Sequence, residues 1–295
     1  RLFDTAPLYG YGLAERRLGA VLAERPRDAF VLSTKVGRLV RRIDEIGPAA
    51  DVDPQAFEGR EDAYYPWSEP VRMVFDYSAE GVRRSIDESL ERLGLDRIDI
   101  ALIHDPDTHW QSAISEAFPA LVRLREQGVV RAIGAGMNQA ALLARFAREG
   151  DLDVFLAASR YTLLDQDALD ELLPACLERG IAVLCAGVMN TGLLAAPRPG
   201  AHYDYGVAPP ALIERAQRLA AVCARHGVAL RDAAIQFPLA HPAVVSIVAG
   251  VRTIAHLEEY PAALARPIPH ALWAELKAEG LIRPDAPVPG GSAES

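Results

Sequence analysis

The stretch "AEGVRRSIDESLERLGLDRIDIALIHDPD", residues 79–107, holds the repeating unit that decides the fold. Residues 79–93 space their apolar side chains as an amphipathic helix does, and "IDIALIH" (98–104) follows as a short, nearly continuous apolar run. A strand of a parallel sheet reads this way, because helices cover both of its faces.

The unit recurs along nearly the whole chain. Strands are expected at "RLFDTA" (1–6), "FVLSTKV" (30–36), "VVRAIGAG" (129–136), "VFLAASRY" (154–161), "IAVLCAG" (181–187) and "VVSIVAG" (244–250). Amphipathic stretches separate them at 13–24, 112–127, 139–149, 167–179 and 210–226. Strand then helix, repeated at this length, implies an α/β fold of the (β/α)8 barrel type. Only seven strands are visible, so the expected architecture is a barrel lacking its first strand and helix. Residues 1–283 are expected to form the single domain and 284–295 a flexible tail. Residues 38–77 make a connection far longer than the usual two to six or so residues. They carry Phe57, Tyr64, Tyr65, Trp67, Phe75 and Tyr77, too many aromatics for a disordered linker, and are read as a loop over the barrel mouth.

Half of the 295 residues are apolar, enough for a large core. The net charge of −9 argues against a nucleic-acid or anionic-membrane partner. Three cysteines without metal-ligand spacing, Cys176, Cys185 and Cys223, read as reduced core thiols of a cytoplasmic protein. No apolar run reaches the ~18–20 residues that span a membrane. The expected partner is a small molecule, and the chain is read as a monomer or homodimer.

The carboxyl ends of barrel strands form the face where chemistry occurs. Read in order, they deliver Asp4, Tyr9 in the loop just beyond, Lys35 and His104. A phenol is a poor acid or base near neutrality. An ammonium beside a phenol favours the phenolate, a carboxylate can hold that ammonium, and an imidazole can hydrogen-bond the reacting oxygen. Such a set moves a proton on or off an alcohol or carbonyl oxygen and needs a hydride carrier for redox chemistry. Singly, each residue has a plain structural reading, as packing, a solvated strand end or a turn cap. Their agreement on consecutive strand ends favours chemistry. "HDPDTH" also places His104, Asp105, Asp107 and His109 together, yet barrel metal sites draw ligands from several strand ends, and no metal is expected.

"FDTAPLYGYGLAERRLG" resembles the signature of the aldo-keto reductases, in which D-T-A-x-x-Y-G-x-x-E carries the catalytic Asp and Tyr. "VLSTKVG" is similar to their lysine strand, and "RSIDESLERLGLDRIDIALIHDPD" to the segment ending in their histidine. The resemblance covers essentially the whole chain. It implies that Tyr9 is the general acid/base, that Lys35 and Asp4 tune it, and that His104 orients the substrate oxygen. "GAGMNQ" and "SRYTLLDQ" look most like the aldose dehydrogenases of the family. These include L-fucose and D-threo-aldose 1-dehydrogenases, with L-galactose and pyridoxal 4-dehydrogenases as relatives. That branch oxidises the C1 hydroxyl of a sugar to a lactone with NAD or NADP. Trp67, Tyr65 and Asp105 are the candidate substrate contacts. The resemblance implies nicotinamide contacts at Asn138, Ser159 and Gly187, with Tyr161 as a candidate stacking ring. It implies a phosphate end at Gly250, Arg252, Thr253 and His256. The family's NADP-selective Lys and Arg positions hold Gly250 and His256, which leans toward NAD. The alternative is a pyridoxal 4-dehydrogenase or a general aldehyde/ketone reductase of the same family, and a non-catalytic barrel subunit and a metal-dependent hydrolase are the rival readings from other classes.

Overall fold

The computed structural model describes residues 1–54, 70–204, 206–251 and 253–290. These fall into two compact units: Arg1–Met137 with Glu149–Val154, and Asn138–Arg148 with Phe155–Ser295.

The first unit opens with β1 (Leu2–Asp4), α1 (Leu13–Leu22) and β2 (Val31–Val36). An antiparallel pair follows, β3 (Arg38–Arg42) and β4 (Val71–Phe75). It continues with α2 (Ala79–Leu93), β5 (Ile100–His104), α3 (Trp110–Ser112), α4 (Phe118–Glu126) and β6 (Ala132–Met137). β1, β2, β5 and β6 pair in parallel, in chain order. Leu32, Leu102, Ile103 and Ile133 are fully buried, as two-faced burial of these strands requires.

Charged side chains inside this unit are paired. Glu15, fully buried on α1, accepts from Thr34 Oγ1 at 2.8 Å and from Arg92 Nε at 2.6 Å. It thereby ties α1 to β2 and α2. Glu15 lies within the motif-bearing stretch "FDTAPLYGYGLAERRLG", and its place here is structural. Asp99 accepts from Leu32 N (2.8 Å) and Arg27 Nη2 (2.7 Å), closing the lower end of β2.

α1 and α2 cross at Gly19, where a Cβ would stand 2.0 Å from the carbonyl oxygen of Leu93. Backbone cannot yield as a side chain can. Gly19→Ala is therefore expected to cost at least about 1–3 kcal/mol, despite alanine's better helix propensity. Urea denaturation checks it; an unchanged or raised midpoint would contradict this crossing.

The second unit contains α5 (Ala140–Glu149), β7 (Val154–Ala158), α6 (Leu172–Arg179) and β8 (Ala182–Ala186). A short hairpin of β9 (His202–Tyr203) and β10 (Gly206–Val207) follows, then α7 (Pro210–Arg225), α8 (Leu230–Gln236) and β11 (Val244–Val248). α9 (Ile254–Ala265) and α10 (His270–Ala278) close the order. β8 and β11 pair in parallel. The seven-stranded sheet runs β1-β2-β5-β6-β7-β8-β11, the chain order of a (β/α)8 wall.

Every expected strand is present, each within a few residues of its expected bounds. The reading of 38–77 as one loop needs correction. Its ends form β3 and β4, registered from Arg38↔Phe75 to Arg42↔Val71, and Val52 bridges to Val74. The arginines in "RLVRR" obscured this strand, although Leu39, Val71 and Met73 are buried. Residues 55–69 of the segment, with Phe57, Tyr64, Tyr65 and Trp67, lie outside the described residues. Within the expected tail, Ala286 is buried and the Pro284 carbonyl accepts from Lys277 Nζ at 2.8 Å. All three cysteines are buried and unbridged. Among the described residues, no helix is long and apolar enough to cross a membrane.

Candidate active site

β1 ends at Asp4, and the chain then turns through Gly10, Tyr11 and Gly12, all with positive φ (63°, 52° and 86°). This tight turn lies between Tyr9 and the start of α1, and the Tyr9 carbonyl accepts from Ala14 N at 3.1 Å. The parallel register that places Asp4 opposite Ser33 also brings Lys35 of β2 alongside. Lys35 Nζ donates to Asp4 Oδ2 at 2.7 Å and to the Thr5 carbonyl at 3.0 Å. The same ammonium lies 4.7 Å from the centroid of the Tyr9 ring. The Tyr9 and His104 rings meet edge to face, with centroids 6.0 Å apart. Asp4, Tyr9, Lys35 and His104 are thus assembled by β1, β2 and β5 as the strand-end reading expects.

The buried charges explain one another. Burial by itself would depress the Lys35 ammonium, but Tyr9 and Asp4 more than offset it, and its pKa is raised. His104 is held well below the usual imidazole range, first by burial and then by the positive charges of Arg38 and Lys35. It is therefore neutral at physiological pH. Its Nδ1 is buried with no hydrogen-bond partner among the described residues.

Charged groups beyond Lys35 also stand close to the histidine. Arg38, at the start of β3, pairs with Asp53 at 3.0 Å and with Asp105 Oδ2 at 3.2 Å. Asp105 Oδ2 lies 3.4 Å from His104 Nε2. Tyr77 donates its hydroxyl to the His104 carbonyl at 2.6 Å and to the Asp105 carbonyl at 3.1 Å. Burial pushes the Asp105 carboxyl up to about 6 against the pull of Arg38. Sequence reading named Asp105 but missed Arg38, Asp53 and Tyr77. The available signal was an arginine placed two residues beyond a buried strand, where a cation requires a partner. His109, of "HDPDTH", pairs instead with Asp51 at 2.7 Å. Among the described residues, no group of three or more His, Cys, Asp or Glu side chains is disposed to hold a metal.

These shifts set the stability profile. A histidine whose folded pKa is depressed stabilises the fold fully above its unfolded value, near 6.5, and that stability is lost as pH falls. His104 acts this way, as does buried His241, held down to about 4. Asp105 acts oppositely, because its raised pKa makes the folded state bind a proton more readily between about 6 and its ordinary carboxylate range. The denaturation midpoint is expected to fall below pH 6.5 in wild type. His241→Gln should flatten part of that fall, and an identical pH slope in the variant would contradict it.

The remaining candidate residues lie in the second unit. Asn138 presents its carbonyl to Arg160 Nε at 2.7 Å. Ser159 adopts φ 60°, with Oγ 3.4 Å from the Gly187 carbonyl oxygen, and a Cβ at Gly187 would meet that Oγ at 2.3 Å. Tyr161 is 1% exposed and packs on Phe237 and His241, so the structure draws its ring into the core. Thr253 caps α9, its Oγ1 accepting from His256 N at 3.2 Å. The first turn of α9 holds no acidic residue, and a Cβ at neighbouring Gly250 would meet nothing within 4 Å. Open space at a helix start suits a phosphate, because the helix dipole favours an anion there. These residues therefore fit the phosphate end of a dinucleotide. Arg252, Tyr65 and Trp67 lie outside the described residues.

Comparison with known proteins follows the same lines. Residues 1–279 match the Aldo/keto reductase family. The chain is 46% identical over 285 residues to a D-threo-aldose 1-dehydrogenase from a Pseudomonas species, covering 96% of this chain and 84% of the relative. It is 41% identical over 296 residues to a pyridoxal 4-dehydrogenase from Microbacterium luteolum, again covering 96% and 84%. A solved aldo-keto reductase from Bacillus halodurans, in its holo form, matches with a TM-score of 0.69 at 24% identity, over 96% of this chain and 82% of that one. That likeness bears on the fold alone, and with the strand order it confirms the (β/α)8 class expected from the sequence.

Proposed function

We propose a specific activity for this chain, which belongs to the aldo/keto reductase family and is an oxidoreductase: NAD(P)-dependent oxidation of the C1 hydroxyl of an aldose, such as L-fucose or another D-threo-aldose, to the lactone. The observation that carries it is the joining of Tyr9, Lys35, Asp4 and His104 at adjoining strand ends. The 46% identical D-threo-aldose 1-dehydrogenase supports the substrate class.

In this reading Tyr9 takes the proton of the C1 hydroxyl. Lys35, anchored by Asp4, stabilises the charge on the phenol oxygen. His104, neutral, hydrogen-bonds the substrate oxygen without competing for its proton. A bound nicotinamide supplies the hydride acceptor. Asn138, Ser159 and Gly187 would hold its amide end, and Gly250, Thr253 and His256 its phosphate end. Asp105, beside His104, and the aromatic residues Tyr65 and Trp67 are the proposed sugar contacts. The absence of the family's Lys and Arg at Gly250 and His256 favours NAD over NADP.

A second reading, pyridoxal 4-dehydrogenase, has the 41% identical relative in its favour. The test is a panel of L-fucose, L-galactose, D-arabinose and pyridoxal with each cofactor, followed at the absorbance of the reduced nicotinamide. Turnover of L-fucose or another aldose, with the larger kcat/KM on NAD, is expected. Turnover of pyridoxal alone would replace the first reading with the second, and no turnover of any of them would overturn both.

A further inference from the structure

We propose that Arg38 and Asp105 are positioning residues that hold the His104 ring in the tautomer carrying its proton on Nε2. A neutral imidazole has one N–H, and its two nitrogens face different surroundings here. Nδ1 is buried without a partner among the described residues. Nε2 faces the Asp105 carboxylate oxygen at 3.4 Å. The Nδ1–H form would bury a donor with no acceptor and aim a nitrogen lone pair at an anion. The Nε2–H form avoids both. At 3.4 Å the carboxylate aligns that proton without holding it in a short hydrogen bond, so it stays available to a substrate oxygen.

Asp105 cannot do this unless it is fixed, and its fixation is visible. It sits at φ 39°, which only a few residue types tolerate. Its N–H donates to the Gly136 carbonyl at 3.0 Å, and its own carbonyl accepts from Tyr77. Arg38 Nη2 grips the same Oδ2 that faces His104. Arg38 is fixed in turn by Asp53, and its guanidinium lies 5.2 Å from the Phe75 ring centroid. The antiparallel pair of β3 and β4 thus reaches the catalytic histidine through one arginine. The charged or titratable groups around His104 and Asp105 are Tyr9, Lys35, Arg38, Asp53, Tyr77 and Asp107.

The proposal rests on the reading of the Tyr9 set as the catalytic centre, and the two fail separately. Loss of that reading shows as turnover surviving Tyr9→Phe, whereas the tautomer is read spectroscopically without any substrate. The experiment is nitrogen-15 NMR of the full chain, with His104 assigned by comparison with His104→Gln. In wild type at pH 7.5 or so, a protonated Nε2 and a bare Nδ1 are expected. Asp105→Ala and Arg38→Met should shift the ring toward a mixture and lower kcat roughly tenfold or more, with cofactor KM little changed. Arg38→Lys should recover part of the loss, since a point charge replaces the fork only partly. A wild-type ring protonated on Nδ1 overturns the proposal, whether or not Asp105→Ala and Arg38→Met fold. So does a fully Nε2-protonated ring in both Asp105→Ala and Arg38→Met.

Discussion

Tyr9→Phe is expected to lower turnover of the full chain by roughly 10²–10⁴-fold, the range a positioned proton donor or acceptor contributes. The change removes one oxygen and leaves the ring, so packing against His104 and the cation–ring contact with Lys35 persist. The residues proposed to hold the cofactor lie at 138, 159, 187, 250, 253 and 256, and the substitution alters none of them. Cofactor affinity, read by fluorescence titration with NADH and NADPH, should therefore stay within a few-fold or so of wild type. Turnover within a few-fold or so of wild type would remove Tyr9 from the chemistry. A joint collapse of turnover and cofactor binding would instead mean a disturbed fold, and the denaturation midpoint separates these outcomes.

The second large effect is one of stability as well as activity. Lys35→Met leaves the Asp4 carboxylate, whose side chain is 5% exposed, without its cation. Breaking a buried pair in this way costs about 3–5 kcal/mol, because an uncompensated charge stays in the interior. Adding Asp4→Asn removes that charge, so the double variant should recover most of the lost stability. It should not recover activity, since no ammonium then stands beside the Tyr9 ring. This non-additivity in stability, with no matching rescue of turnover, distinguishes a catalytic lysine from a structural one. A double variant as unstable as Lys35→Met would show that the ammonium's other partner, the Thr5 carbonyl, dominates.

Much of this molecule could be read from its residues alone, for identifiable reasons. β2, β5, β6, β7 and β8 are short apolar runs buried on both faces, and such runs have few other uses in a chain of this size. Asp4, Lys35 and His104 were legible because each ends or nearly ends such a run, where a polar residue breaks the apolar pattern. β3 and β4 were not, because their pairing depends on partners about 30 residues apart and three arginines mask the alternation. Arg38 and Asp53 escaped for the same reason: their meeting is a product of the antiparallel register rather than of any local motif. Tyr161 shows how packing enters where sequence reading looks for function. An aromatic in a plausible place invites a functional role, yet packing on Phe237 and His241 accounts for it. Glu15 carries a similar lesson, for a residue within a motif-bearing stretch can serve the scaffold, here by joining α1 to β2 and α2.

The central claim is that this site removes a proton from O1 while hydride departs from C1 of an aldose. Deuterium at C1 tests it most directly. The full chain, incubated with 1-deutero-L-fucose and the oxidised cofactor, is expected to yield reduced nicotinamide carrying the deuterium at C4, seen by mass spectrometry and proton NMR. The Tyr9→Phe variant should slow that transfer without changing where the deuterium goes. Deuterium retained on the sugar product, or lost to water, would contradict the account.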